Sequence, residues 1–387
     1  MGLSVVGGGA AGFFLAINVK KMLPELDVTI FEQQKKVLSK VEISGGGRCN
    51  CTNTFAEITD LKQAYPRGAS LLKRLFKQFG PKEAYNWFED HGVPLVVQDD
   101  ECVFPQAQDS HAIINCFLNE AKQLGVKIKL GTKISNAESL LKANGGNSDY
   151  VAVTVGGTPS KEGCVPSLFT FNINDSALKK LMGTVVENAI ASIPGTKMRA
   201  QGPLLITHWG MSGPAILKLS SYAARHLAEQ SYKSPLLINW TGESNSEEVR
   251  SHIIYLLEQN PQKQIDNVRP FNLPARLWDY LLDKASLKGK RCSEIGKKGT
   301  NRLTELLTND THQIASRCHY KDEFVTCGGV SLDSIDKSTL ESKFTPNLFY
   351  AGEVLDIDGI TGGFNFQAAW TTAYAVAKGI EGKVKNR

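Results

Sequence analysis

The strongest constraint on this chain sits at its start. Leu3-Ser4-Val5-Val6 is a short apolar run that breaks into Gly7-Gly8-Gly9-Ala10-Ala11-Gly12 and continues as the helix-prone Phe13-Phe14-Leu15-Ala16-Ile17. That order predicts a buried strand, a tight turn and the first turn of a helix. Gly7 lets the chain reverse, Gly9 lets the backbone come close to a pyrophosphate, and Gly12 lets the helix pack tightly on the strand. Unpaired N–H groups at the positive helix end, at Ala10 and Ala11, then face the phosphates. A second apolar run, Val28-Thr29-Ile30-Phe31, ends in Glu32, 20 residues after Gly12. A carboxylate at the tip of a second strand is placed to accept hydrogen bonds from a ribose diol. The alternative, a glycine-rich turn beside a solvated glutamate, leaves the ordering of strand, glycines, helix and acid without a reason.

A chain of 387 residues is too long for one ordinary core and is expected to form two or three domains. With 42% apolar and 21% charged residues it reads as a soluble globular protein. No apolar run approaches the roughly 18 residues of a membrane span, and no charged and apolar leader opens the chain, so a cytoplasmic location is expected. The net charge of +5 is read as a solubility feature, and no nucleic-acid partner is expected from it. Eight cysteines without a Cys-x-x-Cys pair are consistent with reduced thiols. Cys49 and Cys51 would share a face of a strand, but a redox dithiol or half of a zinc site needs a partner pair.

The second cofactor signal is Lys40-Val41-Glu42-Ile43-Ser44-Gly45-Gly46-Gly47-Arg48-Cys49-Asn50-Cys51-Thr52-Asn53. Three consecutive glycines followed by Arg, Asn, Thr and Asn predict a loop whose backbone lies flat against a ligand while amides and a guanidinium donate to it. A flexible surface loop is the bland alternative.

These two stretches resemble the bacterial FAD flavoproteins grouped as the aminoacetone oxidase family or as NAD(P)/FAD-dependent oxidoreductases. The likeness returns in Leu205-Ile206-Thr207-His208-Trp209-Gly210-Met211-Ser212-Gly213-Pro214-Ala215, in Ala351-Gly352-Glu353-Val354-Leu355-Asp356, and in Gly362-Gly363-Phe364-Asn365-Phe366-Gln367, so it spans nearly the whole chain. The resemblance implies an FAD site built from Gly7, Gly9, Ala10, Ala11, Gly12, Glu32, Gln33, Lys40, Ser44 to Asn50, Asn53, Thr154, Gly156, Gly157, Gly352, Glu353, Gly363, Phe364 and Asn365. It also places Lys133 and Ile134 at the adenine end. Glu353, with Asp356 or Asp358 as lesser alternatives, is the acid expected near the ribityl and pyrophosphate. In the family a helical segment follows the strand at 150–157, whereas here only Thr158 to Cys164 intervene before Val165-Pro166-Ser167-Leu168.

Helical periodicity marks 68–79, with a stop at Gly80-Pro81, then a helix from Pro81 to about His91, and a third over 110–124 before a strand at 126–130. His91 reads as a capping or solvated residue. Residues 168–239 are rich in short β-type runs, 246–315 are helical in pattern, and the barrel is expected to resume near Glu323-Phe324-Val325-Thr326-Cys327. Lys288-Gly289-Lys290-Arg291 and Lys297-Lys298 could touch a phosphate but read as a solvated face. The final helix is expected from Phe366 to about Gly379, with its first amides toward the flavin's pyrimidine edge.

The expected fold is therefore α/β: a discontinuous Rossmann-type FAD-binding domain (1–157 and 331–387), an inserted β-barrel-like domain (158–245 and 316–330) and a small helical insert (246–315). The expected activity is that of an FAD-dependent oxidoreductase passing a hydride through flavin N5 to or from a small organic substrate, with NAD(P)H as a candidate electron donor. His208 is the candidate polar group facing substrate, with a satisfied structural histidine as its alternative. Two other readings remain: a flavoprotein of RNA modification and a non-catalytic flavin-binding protein.

Overall fold

In the computed structural model, which describes residues 1–157, 163–318 and 325–386, the opening apolar run is a strand, β1 (Gly2–Val6). It lies at the centre of a five-stranded sheet, between β2 (Asp27–Phe31) and the strand Tyr150–Val153. Lys127–Lys129 and Leu348–Tyr350 form the edges, and every pairing is parallel. A central parallel strand is covered on both faces, so Leu3, Val5 and Val6 are all buried instead of alternating. Its one polar side chain, Ser4, shares a 2.6 Å hydrogen bond with Ser148.

The crossover from β1 to β2 is α1 (Ala10–Met22), buried from Ala11 to Val19. It packs on the last helix, Phe364–Lys385, through an aromatic cluster: the Phe14 ring lies 4.7 Å from Trp87 and 5.3 Å from Trp370, and Phe117 lies 5.6 Å from Trp370. Each such ring pair contributes about 0.5–1.5 kcal/mol beyond its buried area. Asn18 is the polar residue of this face, and both ends of its amide are used, Nδ2 donating to Phe14 O (2.7 Å) and Oδ1 accepting from Trp87 Nε1 (3.3 Å). A small antiparallel sheet, Leu95–Val97, Cys102–Pro105 and Thr52–Asn53, completes this part.

The chain forms two compact units, residues 1–166 with 322–387 and residues 167–321. The second contains a closed six-stranded barrel, in the order Val185–Ser192, Arg199–Ile206, Gly210–Ser212, Phe171–Ile173, Asp310–Arg317 and Ser234–Asn239. The helices Ser246–Gln259, Ala275–Ala285 and Gly296–Asn309 are inserted between the last two strands in sequence.

The structure moves several expected boundaries. Asp310–Arg317 is a barrel strand, so the helical insert ends at Asn309 rather than at 315; residues 310–314 alternate buried and exposed in register with Ser234–Ile238. The helix runs into this strand without a glycine or proline, which hides the change of period. Val325–Cys327 belongs to the first unit, not to the barrel, while Glu323 and Phe324 and the expected start of the barrel domain at 158–162 lie outside the described residues. The last helix begins at Phe364 and continues past Gly379 to Lys385. Gly379 does not end it; glycine stands there because a side chain would run into Thr339 Cβ at 2.8 Å.

Candidate cofactor site

The turn between β1 and α1 separates two kinds of glycine. A Cβ on Gly7 would lie 2.5 Å from Thr154 O, and one on Gly12 would fall against Gly7 O and 2.8 Å from Thr154 Oγ1. Those two are required by the packing of helix on strand. Gly9 is different: its φ is −92°, which any residue adopts, and a Cβ there would meet no protein atom within 4 Å. Neither fold nor backbone asks for glycine at Gly9, so the open space in front of it is what a closely approaching ligand would use. No side chain caps α1, and no acid sits in its first turn. The N–H groups of Ala10, Ala11 and Gly12 have no intrahelical acceptor and form the positive end that a pyrophosphate needs.

Glu32 lies where the second strand ends, half-buried, and its carboxylate is oriented by backbone donors: Gly8 N to Oε2 and Gln34 N to Oε1, each at 2.8 Å. Each oxygen keeps a further lone pair for a ribose hydroxyl. The fit to an FAD adenosine and pyrophosphate is thus met by the donor and acceptor set at Gly9, α1 and Glu32. Gln33, next along, is exposed.

The second glycine stretch is not a simple loop. Ser39–Gly47 is a helix that breaks at Ser44, and Gly45, Gly46 and Gly47 all have φ between +57° and +83°, which glycine tolerates best. Ser44 Oγ donates to Val41 O (2.7 Å), so it closes the helix end. The Arg48 guanidinium stacks on Phe104 at 4.4 Å and donates to Gly45 O (3.2 Å) and Gln108 Oε1 (3.3 Å). Two of its five N–H donors are used in this way, one on its own loop and one on a residue 60 positions further along the chain. Cys49 is buried, with its thiol pushed up to about 12 by burial, and burial raises Cys51 as well. Neither is poised as a thiolate. Asn53 is also buried, its Oδ1 accepting from Phe55 N (2.8 Å).

Asn50 ties this stretch to the other end of the chain. With its amide oriented to satisfy its neighbours it donates to Thr52 O (2.8 Å) and accepts from Gly363 N (3.2 Å). Thr52 Oγ1 donates to Gln367 Oε1 (2.6 Å), and Trp370 Nε1 donates to Cys51 O (2.8 Å). Gly363 (φ +86°) has no room for a side chain, since a Cβ would fall against Thr52 O.

Glu353 is held from two sides. Its Oε2 lies 2.8 Å from Lys40 Nζ and its Oε1 accepts from Thr326 N at 2.8 Å. Gly157 must be glycine here, because a Cβ would come within 2.6 Å of Glu353 Oε1, and Gly156 lies beside the same carboxylate. Gly352 N donates to Thr372 Oγ1 (2.9 Å). Thr154 Oγ1 donates toward Gly7 O (2.9 Å), closing the turn from behind. Ile134 packs against the cluster of Val6, Leu141, Val151 and Leu348.

Three of the expected residues have their side chains engaged within the protein. The Asn365 amide is consumed by Gly359, accepting from its N (2.8 Å) and donating to its O (3.0 Å), so it shapes the 359–360 loop. The Phe364 ring is buried 5.0 Å from Phe55 and 6.0 Å from Tyr65. Asp358 is fully buried and paired with the Arg67 guanidinium, a partner that spacing alone could not show. Thr326 as a donor to Glu353 was missed for the same reason. His208 lies in the second unit, exposed in the turn before Gly210–Ser212, with its ring 4.5 Å from Trp209.

The parallel sheet, the cradle at Gly9 and the inserted barrel define a Rossmann-type FAD-binding α/β protein. The chain matches the HI0933-like protein Rossmann domain over residues 2–379 and belongs to that family. It is 24% identical over 405 residues to the 3-dehydro-bile acid delta(4,6)-reductase of Clostridium scindens, which covers 97% of this chain and 98% of that protein. It is also similar to the ribosomal RNA dihydrouridine synthases of Haemophilus influenzae (26% identity over 412 residues) and Escherichia coli (27% over 414 residues), with 97% of both chains covered in each case. Among the described residues no helix is long and apolar enough to cross a membrane.

Proposed function

We propose that this chain is an FAD-dependent reductase of a carbon–carbon double bond conjugated to a carbonyl group. The observation that carries the cofactor is Gly9, which lacks a side chain for no reason internal to the protein. The bond class is supported by what the relatives' names share. A delta(4,6)-reductase acting on a 3-dehydro bile acid and a synthase of dihydrouridine both saturate a double bond in conjugation with a carbonyl. Bound FAD supplies hydride transfer at N5.

The chain's own residues do the positioning. The α1 amides and Gly9 take the pyrophosphate, Glu32 takes the adenosine ribose, and Lys40, Glu353 and Thr326 order the strip between the two chain ends. Hydrogen bonds from Asn50 and Thr52 keep the start of the last helix, with its positive dipole end, in register with the glycine stretch. Among the described residues the parallel sheet contains a single strand, glycine turn and helix unit of the dinucleotide type, at β1 and α1. Reduction by NAD(P)H is therefore expected to be slow and weakly saturable.

The test is to identify the released cofactor by mass after denaturation, then to reduce the protein anaerobically and mix it with an α,β-unsaturated ketone, with the saturated ketone, or with oxygen. Reoxidation by the unsaturated ketone alone fits the proposal. Release of FMN overturns the cofactor assignment, and bleaching by a primary amine with reoxidation by oxygen would replace the reductase by an amine oxidase.

A further inference from the structure

We propose that the helical insert of the second unit is a docking surface for single-stranded RNA. If the reductase reading holds, an RNA base then becomes the molecule that carries the conjugated double bond. The docking itself stands apart from that reading.

The charge of the chain is not spread evenly. Residues 284–302 hold seven of its basic side chains (Lys284, Lys288, Lys290, Arg291, Lys297, Lys298 and Arg302) against one acid, Glu294. The whole chain is only +5, so outside these 19 residues basic and acidic side chains nearly balance. The expectation of no nucleic-acid partner rested on the whole-chain value, an average over two very different parts. Lys288, Lys290, Arg291, Lys297, Lys298 and Arg302 are all exposed. The backbone adds Lys263 to them, through hydrogen bonds from Ile265 N to Lys290 O and from Cys292 N to Lys263 O, both 2.9 Å.

Internal contacts account for only part of this charge: Arg291 donates to Gln262 Oε1 (3.3 Å) and Arg302 to Lys284 O (2.9 Å). Lys284 is paired with buried Asp310, and Lys288 lies 3.5 Å from Asp283 and 3.9 Å from Asp279. Among the described residues no ion pair engages Lys263, Lys290, Lys297 or Lys298. Glu294, the one acid, already accepts from Arg291 N at 2.8 Å. Lys297 and Lys298 stand in the first turn of Gly296–Asn309, where the helix dipole disfavours cations, so helix stability does not explain their position.

The surface also has shape. A concavity of about 510 Å³ lies between the helices Ser246–Gln259 and Gly296–Asn309, with Arg250 and Lys297 among its lining, Glu258 as its acid, and Ile254, Leu257 and Pro261 as its apolar part. Tyr255 of the same helix is 59% exposed, a free face for stacking. Cations beside a recessed apolar hollow and an exposed tyrosine suit a chain of phosphates with bases between them. An anionic membrane would instead favour apolar residues projecting beyond the cations, and here they are recessed.

The test uses the flavin-loaded protein and a fluorescein-labelled oligouridylate 12-mer, with binding read by anisotropy from 50 to 300 mM salt. Three phosphate contacts predict a slope of about −2 for log K against log salt. Replacing Lys290, Lys297 and Lys298 together by Glu is expected to weaken binding at least tenfold and to flatten the slope. The milder triple change to Gln gives the same direction, with melting temperature, flavin absorbance and reduction of a small unsaturated ketone retained. No salt-dependent binding by the parent at 50 mM salt, or triple variants that bind as well as the parent, overturns the proposal. So does co-sedimentation with phosphatidylglycerol vesicles by a protein that ignores the oligouridylate. Oligouridylate binding by a protein inactive toward unsaturated ketones supports the surface and counts against the reductase reading alone.

Discussion

The Lys40 ammonium lies 2.8 Å from Glu353 Oε2 although 313 residues separate the two in sequence. The same carboxylate accepts Thr326 N, and the two interactions differ in worth. Lys40 is exposed, and an exposed ion pair contributes about 0–1 kcal/mol. A backbone amide donating to a partly buried carboxylate contributes roughly 1.5–3 kcal/mol. Glu353→Ala is therefore expected to cost clearly more stability in urea unfolding than Lys40→Met. Equal losses would show that the ion pair, not the amide, is what Glu353 is there to make.

Gly9 and Gly12 make opposite predictions. Gly9→Val should leave the thermal midpoint of the apoprotein within a few degrees of the parent while abolishing flavin retention, because its side chain enters space that only a ligand would fill. Gly12→Val should fail to fold stably, since its side chain would collide with Gly7 O and Thr154 Oγ1. A Gly9→Val protein that stays yellow would move the pyrophosphate site elsewhere.

Loss of the Glu32 carboxylate removes acceptors for a ribose and frees Gly8 N and Gln34 N. Each charge-assisted hydrogen bond lost is worth about 1.5–3 kcal/mol, so Glu32→Ala should weaken FAD binding tenfold or more. Equilibrium dialysis of the apoprotein against FAD measures it, and an unchanged dissociation constant would sink the assignment.

The barrel unit has a pH signature. Asp310 is fully buried, bonded to His312 Nε2 (2.8 Å) and Trp240 Nε1 (3.0 Å) and paired with Lys284. Burial pushes its carboxyl up, but His312 and Lys284 outweigh that and hold it below the usual carboxylate range. A folded-state value below the unfolded one of about 4 contributes stability that is complete above that pH and is lost as pH falls through the folded value. Asp310→Asn is expected to cost about 3–5 kcal/mol near neutrality, the usual loss when one partner of a buried pair is removed. Guanidinium unfolding at pH 7, 5 and 3 should show the gap between variant and parent narrowing at the lowest pH, and a gap of constant size would contradict the account.

The sequence by itself determined the opening strand, turn and helix, the acid at the end of the second strand, the glycine break near Ser44 and the family. All of these are local patterns: a period, a glycine where the backbone must turn, an acid at a set distance. The basic pairs at 288–298 were also visible in the sequence, where they read as a solvated face, and the whole-chain charge of +5 gave no reason to read them otherwise. Only the tertiary structure decided that packing demands glycine at Gly12 while open space lies in front of Gly9, that the Asn365 amide is bonded to Gly359 and the Phe364 ring is buried, that Arg67 holds Asp358, and that Asp310–Arg317 closes the barrel. Each of those depends on an atom supplied by a distant part of the chain: Thr154 against Gly7, Gly359 against Asn365, or Ser234–Asn239 beside Asp310. Local periodicity reports which face of an element is apolar, whereas the partner of a hydrogen bond or the neighbour of a missing Cβ is chosen only when the elements pack.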